Sequence, residues 1–281
     1  MYSFKDITVI INTFNSEDQI YLCLNSINRN VNVIIIENSA NYNFKRKVES
    51  KYSNVNCILA NKNLGYGKGN NLGLSKVKTR FALILNPDAQ LKNNSIENFL
   101  MTAENLKDFA IIGPGVQEAK DIFKKKFNQK YIIETDNVKG FAMFLNLQQF
   151  KEIGFFDENF FIYFEEIDLC RRLRSKNKKI YLDYKILIDH IGGSSHNQEI
   201  NNEMELSRNW HWMWSSFYYH KKHQGFIYAF FKMFLKLISS IFRIIYYSLN
   251  YNRTKKKIYY QRLSGLINSI LGKSSWYRPK V

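Results

Sequence analysis

The sequence predicts a parallel, doubly wound α/β sheet, and two observations support that fold class. Short β-branched runs of the kind that form buried strands recur through the first third of the chain, at residues 7–11, 33–36, 55–59 and 81–85. The segments between these runs have helical patterns, which we place at residues 17–29 and 44–52. Buried strands that alternate with helices are typical of a parallel sheet with helices on its faces.

Polar residues follow three of these runs at the point where each predicted strand ends. They occupy residues 12–15, 37–39 and 86–88. Ligands of doubly wound sheets bind beyond the carboxyl ends of the strands. We therefore expect the three polar clusters to form one site rather than scattered loops.

A glycine-rich stretch at residues 65–73 resembles a dinucleotide-binding loop only superficially. It follows the third strand instead of the first, and it lacks the G-x-G-x-x-G spacing. Glycines and free N–H groups at a loop-to-helix start can still approach a phosphate or a sugar closely. Asp88, at the end of the fourth strand, is either a helix cap or a ligand for a divalent cation that bridges a diphosphate.

Beyond residue 109 the pattern is looser. We expect a strand at residues 110–112, a basic exposed loop at 120–130 and another strand-like run at 139–146. Short strands at 179–182 and 186–189 lead into His190 and two glycines.

Residues 154–172 combine a glycine turn, a dense aromatic patch and the acids Glu165, Glu166 and Asp168. Apolar walls raise the pKa of a carboxylate and suit it to proton abstraction near neutral pH. The structural alternative is a helix start whose acids complement the helix dipole, with Asp168 and Arg172 spaced for an ion pair.

Composition narrows the class of protein. A hydrophobic content of 45% supports a real core, and three scattered cysteines argue against a disulfide framework or a zinc site. The N-terminus lacks a signal-peptide pattern, so we expect a cytoplasmic protein. The net charge of +17 fits nucleic acid, an anionic membrane surface or a phosphate-bearing substrate.

The C-terminal part is aromatic and helical at residues 204–222 and almost continuously apolar at 225–251. At ~100° per residue, Lys232, Lys236 and Arg243 fall within roughly 40° of one another. A narrow basic stripe on an apolar helix is typical of an element that lies in the membrane interface. A membrane span, or a core or dimer helix with solvent-facing lysines, is the alternative.

Basic residues at positions 253–257 would suit anionic headgroups. We therefore expect two domains: a catalytic α/β domain over residues 1–200 and a helical, membrane-associating region over 201–281.

Several short motifs, each weak alone, occur in a specific order across roughly residues 7–193. They are Asn12-Thr-Phe-Asn15, Glu37-Asn-Ser39, Asn63-x-Gly65, Asn70-Asn-x-Gly73, Leu85-Asn-Pro-Asp88, Gly140, Gly154-Phe-Phe-Asp-Glu158, Tyr163-Phe-Glu-Glu-Ile-Asp-Leu169 and His190-x-x-Gly193. Together they resemble the family-two inverting glycosyltransferases, especially the rhamnosyltransferase-like branch that builds bacterial surface polysaccharides.

The resemblance implies a GT-A fold, in which a mainly parallel nucleotide-binding sheet is flanked by helices, here with a C-terminal helical extension. It implies a catalytic base at Glu166, where the family usually has Asp, and a metal site for Mg²⁺ or Mn²⁺ at Asp88. His190, at the end of a predicted strand, is either structural or a second contact for the metal or a phosphate. The family's Asp-x-Asp motif is reduced here to Asn-Pro-Asp. The implied donor-binding residues are Thr13, Asn15, Glu37, Asn38, Asn63, Gly65, Asn70, Asn86 and Asp88; those on the acceptor side are Gly140, Asp157, Tyr163 and Glu165.

The expected function follows from the resemblance. A hexose, rhamnose among the candidates, would move from a dTDP- or UDP-sugar to a hydroxyl of a saccharide or polyprenyl-linked acceptor. The enzyme would act at the inner face of the cell membrane in cell-envelope polysaccharide synthesis, with no nucleic acid partner. Two other classes stay open: a catalytically inactive nucleotide-sugar-binding relative, and a basic nucleic-acid-binding protein.

Overall fold

The computed structural model describes residues 1–92, 94–115, 131–190 and 200–279. The basic segment at 120–130 and the Gly193 of the His190-x-x-Gly193 motif lie outside these residues.

The described residues form ten strands and eight α-helices. The strands are β1 (Ile7–Thr13), β2 (Asn32–Glu37), β3 (Val55–Leu59), β4 (Phe81–Leu85), β5 (Ala89–Leu91), β6 (Ile111–Pro114), β7 (Ile132–Glu134), β8 (Ala142–Asn146), β9 (Ile180–Asp183) and β10 (Ile188–His190). The helices are α1 (Glu17–Asn25), α2 (Tyr42–Lys51), α3 (Gly65–Leu74), α4 (Ser95–Leu106), α5 (Glu165–Arg174), α6 (Asn201–Gln224), α7 (Phe226–Leu249) and α8 (Arg253–Ile270). Short 3₁₀ turns occupy Phe4–Asp6 and Leu147–Phe150.

Eight of the strands form one sheet in the order β3-β2-β1-β4-β8-β6-β9-β7. The first four are mutually parallel, β8 is antiparallel to both of its neighbours, and β5 pairs with β10 in a separate two-stranded sheet. This arrangement is a GT-A-like α/β fold with a mostly parallel sheet, flanking helices and C-terminal helices, which confirms the predicted fold class.

Helices cover both faces of the parallel strands. On one face, Ile20, Phe44 and Phe99 of α1, α2 and α4 join the main core. On the other face, Ile34 and Ile36 of β2 pack with residues around and within α3. Strands covered on both faces need continuous apolar runs, and the buried isoleucines and valines of β1 and β2 provide them.

The first helix is shorter than the sequence predicts, ending at Asn25 instead of residue 29. The Ser26 hydroxyl donates to the Cys23 carbonyl at 2.6 Å, and the backbone N–H of Val31 closes a turn onto the Asn28 carbonyl at 3.0 Å. The polar residues after Ser26 therefore form this turn instead of extending the helix.

The glycine-rich stretch also differs from the expectation of a loop that merely leads into a helix, because most of it is the helix α3. Most other predicted elements match in type, with ends that differ by one to three residues.

The chain divides into two compact units. Unit 1 comprises the described residues of Met1–Leu64, Lys68–Phe156 and Glu166–Asn197, and it holds both sheets. Unit 2 comprises Gly65–Gly67, Asp157–Glu165 and the described part of Gln198–Val281, and it holds α6, α7 and α8. The predicted domain boundary at residue 200 stays a prediction.

Unit 2 has its own small core, in which Met213 and Phe217 of α6 pack with Ala229, Met233 and Leu266. The Trp210 indole N–H of α6 donates to the Ser264 hydroxyl of α8 at 3.2 Å. Among the described helices, none is both long enough and apolar enough to cross a membrane.

Candidate functional site at the strand edge of unit 1

The polar ends of β1, β2 and β4 lie side by side, because β1 sits between the other two strands. Thr13 is in register with Glu37, and Ile11 with Leu85, whose next residue is Asn86. The expectation that the three polar clusters share one edge of the sheet is therefore confirmed.

Asn38 links this edge to the start of α3. Its backbone N–H and its side-chain amide donate to the Thr13 carbonyl at 2.9 and 3.2 Å, and the amide also donates to Asn12. The side-chain amide oxygen of Asn38 in turn accepts from the Leu64 N–H at 3.0 Å. The buried Thr13 donates its hydroxyl to the Ile36 carbonyl. Both side chains therefore hold the edge together, whatever they also contact in a ligand.

Glu37 organises the loop after β2. Its Oε1 accepts from the N–H of Ser39 at 3.0 Å and from the Ser39 hydroxyl, and its Oε2 accepts from the N–H of Asn41 at 2.8 Å. Asn41 then caps α2 by accepting from the Phe44 N–H at 2.9 Å. The predicted contact of Glu37 with the sugar donor would have to use the lone pairs that remain.

Helix α3 approaches the strand edge closely at Gly69. A Cβ at that position would lie 2.5 Å from the Asn12 side-chain nitrogen, so any larger residue would require the Asn12 side chain to move. Asn70 of α3 is fully buried, and Asn63 is partly buried just before the helix. Asn15 has φ +50°, a left-handed conformation that asparagine tolerates better than most residues.

Asp88 has a different environment from the other polar residues. It is 4% exposed, yet neither carboxylate oxygen has a hydrogen-bond partner among the described residues. The nearest cationic candidate is His190, whose Nε2 lies 3.4 Å from Asp88 Oδ1. Leaving such a group unsatisfied costs about 1–3 kcal/mol or more, so a missing partner is the natural explanation.

The local fold holds Asp88 and His190 together. Asn86 and Ala89 close a turn around Asp88 through a 3.1 Å backbone hydrogen bond, and β5 sets Ala89 opposite His190 of β10. The His190 ring stacks on Phe141 with centroids 4.4 Å apart. Phe141 also accepts the Asn86 N–H at its carbonyl, 2.8 Å away, and follows the predicted site residue Gly140 directly. Sequence reasoning missed Phe141, and its position next to Gly140 was the available signal.

Asp88 and His190 together fit a divalent cation. Oxygen and imidazole nitrogen are ligands that Mg²⁺ and Mn²⁺ accept, and neither oxygen of Asp88 has a hydrogen-bond partner among the described residues. The described residues contain no cluster of three or more His, Cys, Asp or Glu that could form a complete metal cage.

Glu166 lies in the first turn of α5. Its Oε2 is buried and has no hydrogen-bond partner in the described part of the chain. Burial raises the pKa of Glu166 above its ordinary value, and the backbone N–H groups of Glu166 and Ile167 only partly oppose that effect. A carboxylate with a raised pKa is suited to accept a proton near neutral pH.

Asp168 of α5 forms the ion pair that its spacing from Arg172 predicts. Asp168 is fully buried and accepts from the Arg172 Nε at 2.7 Å. Arg172 also donates to the carbonyls of Ile153, at 2.9 Å, and Phe155. The Asp168–Arg172 pair therefore fixes α5 to the preceding turn, which confirms its structural reading.

The remaining predicted site residues belong to unit 2. Asp157 accepts from the Tyr218 hydroxyl at 3.0 Å and from Lys222 Nζ at 2.7 Å, and its other oxygen accepts from Asn159. Burial opposes ionisation of Asp157, but these hydrogen bonds and the Lys222 charge lower its pKa overall. The Asp157 carboxylate thus connects its own loop to α6 within unit 2 through hydrogen bonds.

Gly65 and Tyr163 both have positive φ angles in unit 2. Gly65 has φ +78°, and the next N–H, from Tyr66, donates to the Phe161 carbonyl at 2.7 Å. Tyr163 and Phe164 both have φ near +70°, a left-handed conformation that is unusual for bulky residues. Both rings pack on Trp212 of α6, with centroids 5.3 and 5.4 Å away. Buried Glu165 follows them at the start of α5.

Comparison with known proteins identifies the family. The profile of glycosyl transferase family 2 matches residues 8–171, more than half of the chain. Asp88 and Glu166 both lie within the match. The chain therefore belongs to glycosyl transferase family 2.

The individual proteins that this chain resembles share little sequence identity with it. The low-salt glycan biosynthesis hexosyltransferase Agl10 of Haloferax volcanii is 26% identical over 201 residues, which are 62% of this chain and 64% of Agl10. Among solved structures, the mannosyltransferase PcManGT from Pyrobaculum calidifontis, in complex with GDP-Man and Mn²⁺, has a TM-score of 0.61 at 10% identity and covers 96% of this chain and 88% of its own. S. aureus TarS 1–349 has a TM-score of 0.51 at 13% identity and covers 97% and 93%.

Proposed function

We propose that this protein is an inverting glycosyltransferase that moves a hexose from a nucleotide-diphospho-sugar to a hydroxyl of a saccharide. The observation that carries the proposal is the family match over residues 8–171, which includes both the strand edge and Glu166. The donor class is supported by PcManGT, which was solved with GDP-Man and Mn²⁺. UDP- and dTDP-sugars are the first donors to test, and GDP-sugars are added because of that neighbour.

In this mechanism Glu166 acts as the general base. Its carboxylate takes the proton of the acceptor hydroxyl, and the freed oxygen pair forms a bond to the anomeric carbon. The bond from that carbon to the diphosphate oxygen breaks on the opposite face, and the nucleoside diphosphate leaves with the electron pair. The buried Oε2 and the raised pKa of Glu166 support this role.

Asp88 and His190 would hold Mg²⁺ or Mn²⁺ at the leaving-group side. A divalent cation supplies positive charge that offsets the charge developing on a departing diphosphate. The chain's own contribution is to hold the Asp88 carboxylate beside His190 through the β5–β10 pair and the stacked Phe141 ring.

The acceptor and the setting are finer parts of the proposal. We assign a saccharide linked to a polyprenyl lipid, on the inner face of the cell membrane, in the synthesis of a cell-envelope polysaccharide. Agl10 is described as a glycan biosynthesis hexosyltransferase, which is consistent with this assignment. The rhamnosyltransferase-like branch rests on the sequence motifs alone.

A thermal-shift screen tests the donor and the cation together. We expect UDP, dTDP or GDP, with or without the attached sugar, to raise the unfolding temperature, and Mn²⁺ to increase that shift. Asp88→Asn should abolish the increase due to Mn²⁺. The matched control is Asp189→Asn on the same strand as His190, because Asp189 is exposed and pairs only at the surface with Lys92 among the described residues.

Other outcomes identify the alternative classes. Nucleotide binding without any donor hydrolysis or transfer would indicate the inactive relative. No response to any nucleotide, combined with tight and salt-sensitive binding of RNA or DNA, would indicate a nucleic-acid-binding protein.

A further inference from the structure

Helix α7 exposes an unusually large apolar surface. Five of its large apolar side chains are between 68% and 77% exposed: Ile227, Phe231, Leu235, Phe242 and Leu249. Soluble proteins rarely leave so many large apolar side chains exposed on one element without a partner.

These five side chains form one stripe along the helix. At ~100° per residue they fall within an arc of roughly 80°. The buried residues Ala229, Met233 and Ser240 lie on the opposite side, against the core of unit 2. We call the five residues the apolar stripe of α7.

Positive charge borders the apolar stripe. Lys232, Lys236 and Arg243 lie on one side of the helix, between the apolar stripe and the buried face, at about 100–140° from the centre of the stripe. Four further exposed cations stand in the first turns of α8: Arg253, Lys255, Lys256 and Lys257.

The charge of the whole chain is concentrated in this region. After Glu205 the sequence contains fourteen lysines and arginines and no aspartate or glutamate. This C-terminal segment therefore carries +14 of the formal net charge of +17. A bilayer with anionic headgroups complements this charge and accepts the apolar stripe at the same time.

RNA or a second copy of the chain would complement either the apolar stripe or the basic residues of this region, but not both. RNA would neutralise the cations but leave the apolar stripe in water. A second copy of the chain would cover the stripe but would bring two basic borders of like charge together. Because no described helix is suited to cross a membrane, α7 is not expected to span it.

We propose that α7 lies in the plane of an anionic membrane, with the apolar stripe among the acyl chains and its basic border at the lipid phosphates. This inference deepens the proposed function, on which the biological purpose of the docking rests. Docking of α7 would bring the enzyme to the membrane surface that carries a lipid-linked acceptor.

Vesicle flotation of the full-length chain tests the apolar contribution. We expect flotation with vesicles of phosphatidylglycerol and phosphatidylcholine, and little with phosphatidylcholine alone. Phe231→Ser with Leu235→Ser should weaken partitioning at least tenfold, because each buried apolar side chain stabilises insertion. The matched control is Leu22→Ser with Met101→Ser, which removes two exposed apolar residues from unit 1 and should leave flotation unchanged.

Charge substitutions test the lipid headgroup contribution. Lys256→Gln with Lys257→Gln should weaken binding on the order of fivefold for each lysine at low salt, and added salt should weaken the wild type likewise. Lys47→Gln with Lys78→Gln, which removes two exposed lysines of unit 1, should have little effect. Equal binding to anionic and neutral vesicles would overturn the electrostatic part of the proposal.

A fluorescent label tests the orientation. The native cysteines Cys23, Cys57 and Cys170 are all buried, so a cysteine at Phe242→Cys can be labelled selectively. A label there should shift to an apolar emission on anionic vesicles, whereas a label at Leu22→Cys should not.

Two results would overturn the proposal. One is a wild-type dimer that Phe231→Ser with Leu235→Ser dissociates, with no vesicle binding by either protein. The other is tight RNA binding with no vesicle binding. None of these assays contains a nucleotide-sugar, so a failure of the proposed sugar transfer and a failure of docking are distinguishable.

Discussion

At the scale of single residues, the proposed binding role of Asp88 would explain why the fold keeps a buried carboxylate that lowers its stability. A buried carboxylate without hydrogen-bond donors destabilises the fold, and its only described ionic neighbour is His190 at 3.4 Å. Such a group is expected where a ligand supplies the missing charge.

Asp88→Asn should therefore separate activity from stability. We expect transfer activity to fall on the order of 10²–10³-fold, as for loss of a group that stabilises transition-state charge. Without metal, the free energy of unfolding should stay level or rise by about 1–3 kcal/mol, because a buried charge is removed. Chemical denaturation and a donor-hydrolysis assay measure the two effects. A strongly destabilised variant would show that Asp88 has a structural partner instead.

The raised pKa of Glu166 predicts how the stability of the fold depends on pH. Because its native pKa is raised, the native protein binds this proton more tightly than the unfolded chain. Its contribution therefore favours folding at acidic pH and is lost as pH rises from about 4.3, the ordinary glutamate value, through the native pKa.

Glu166→Gln removes that pH dependence. The variant should match the wild type in unfolding temperature at acidic pH and exceed it at neutral pH, by about 2–4 °C for each kcal/mol recovered. Glu152→Gln, an exposed glutamate, is the control. A wild type and a Glu166→Gln variant with parallel pH profiles would contradict the raised pKa.

At the scale of elements, the start of α3 and the turn before α5 depend on backbone conformation. Gly65 and Gly154 both have positive φ, at +78° and +70°. A Cβ at Gly65 would lie 2.3 Å from the Phe161 carbonyl oxygen, whereas one at Gly154 would meet nothing within 4 Å.

These two glycines form a matched pair for mutation. Gly154→Ala should cost about 1–2 kcal/mol, the penalty of a left-handed alanine. Gly65→Ala should cost at least ~2 kcal/mol more, because backbone as well as side chain must move. Urea denaturation of both variants measures the difference. Equal losses would show that the Phe161 segment yields easily.

Helix α5 provides the second comparison of elements. Asp168→Asn should destabilise unit 1 by about 3–5 kcal/mol, since it breaks a buried pair and leaves the Arg172 charge without its carboxylate. Arg174, on the same helix as Asp168, forms a surface pair with Asp136. Arg174→Gln removes that pair and should cost no more than about 1 kcal/mol. If Asp168→Asn lowers the free energy of unfolding no more than Arg174→Gln does, the Asp168–Arg172 pair is not important for stability.

At the scale of the whole molecule, the sequence predicted the parallel half of the sheet well. Runs such as 33–36 and 81–85 are apolar throughout because both faces of those strands are covered. That pattern can be recognised from the local sequence, without knowing which segments pack on the strand. The polar residues at their ends could be grouped because parallel strands share one edge.

Other features could not be read from local sequence. The antiparallel direction of β8 and the pairing of β5 with β10 depend on which segments meet across the fold. The left-handed Tyr163 and Phe164 oppose local preference and are held by contacts with distant Trp212. The stacking of Phe141 on His190 likewise joins residues far apart in the chain.

The most direct test of the central claim is proton NMR of donor hydrolysis, recorded before the released sugar mutarotates. Water replaces the unknown acceptor, so no acceptor needs to be identified. With an α-linked donor, inverting transfer assisted by Glu166 predicts the β-anomer as the first product, and Glu166→Gln should release little or none. Initial release of the α-anomer, or full activity in Glu166→Gln, would contradict the account.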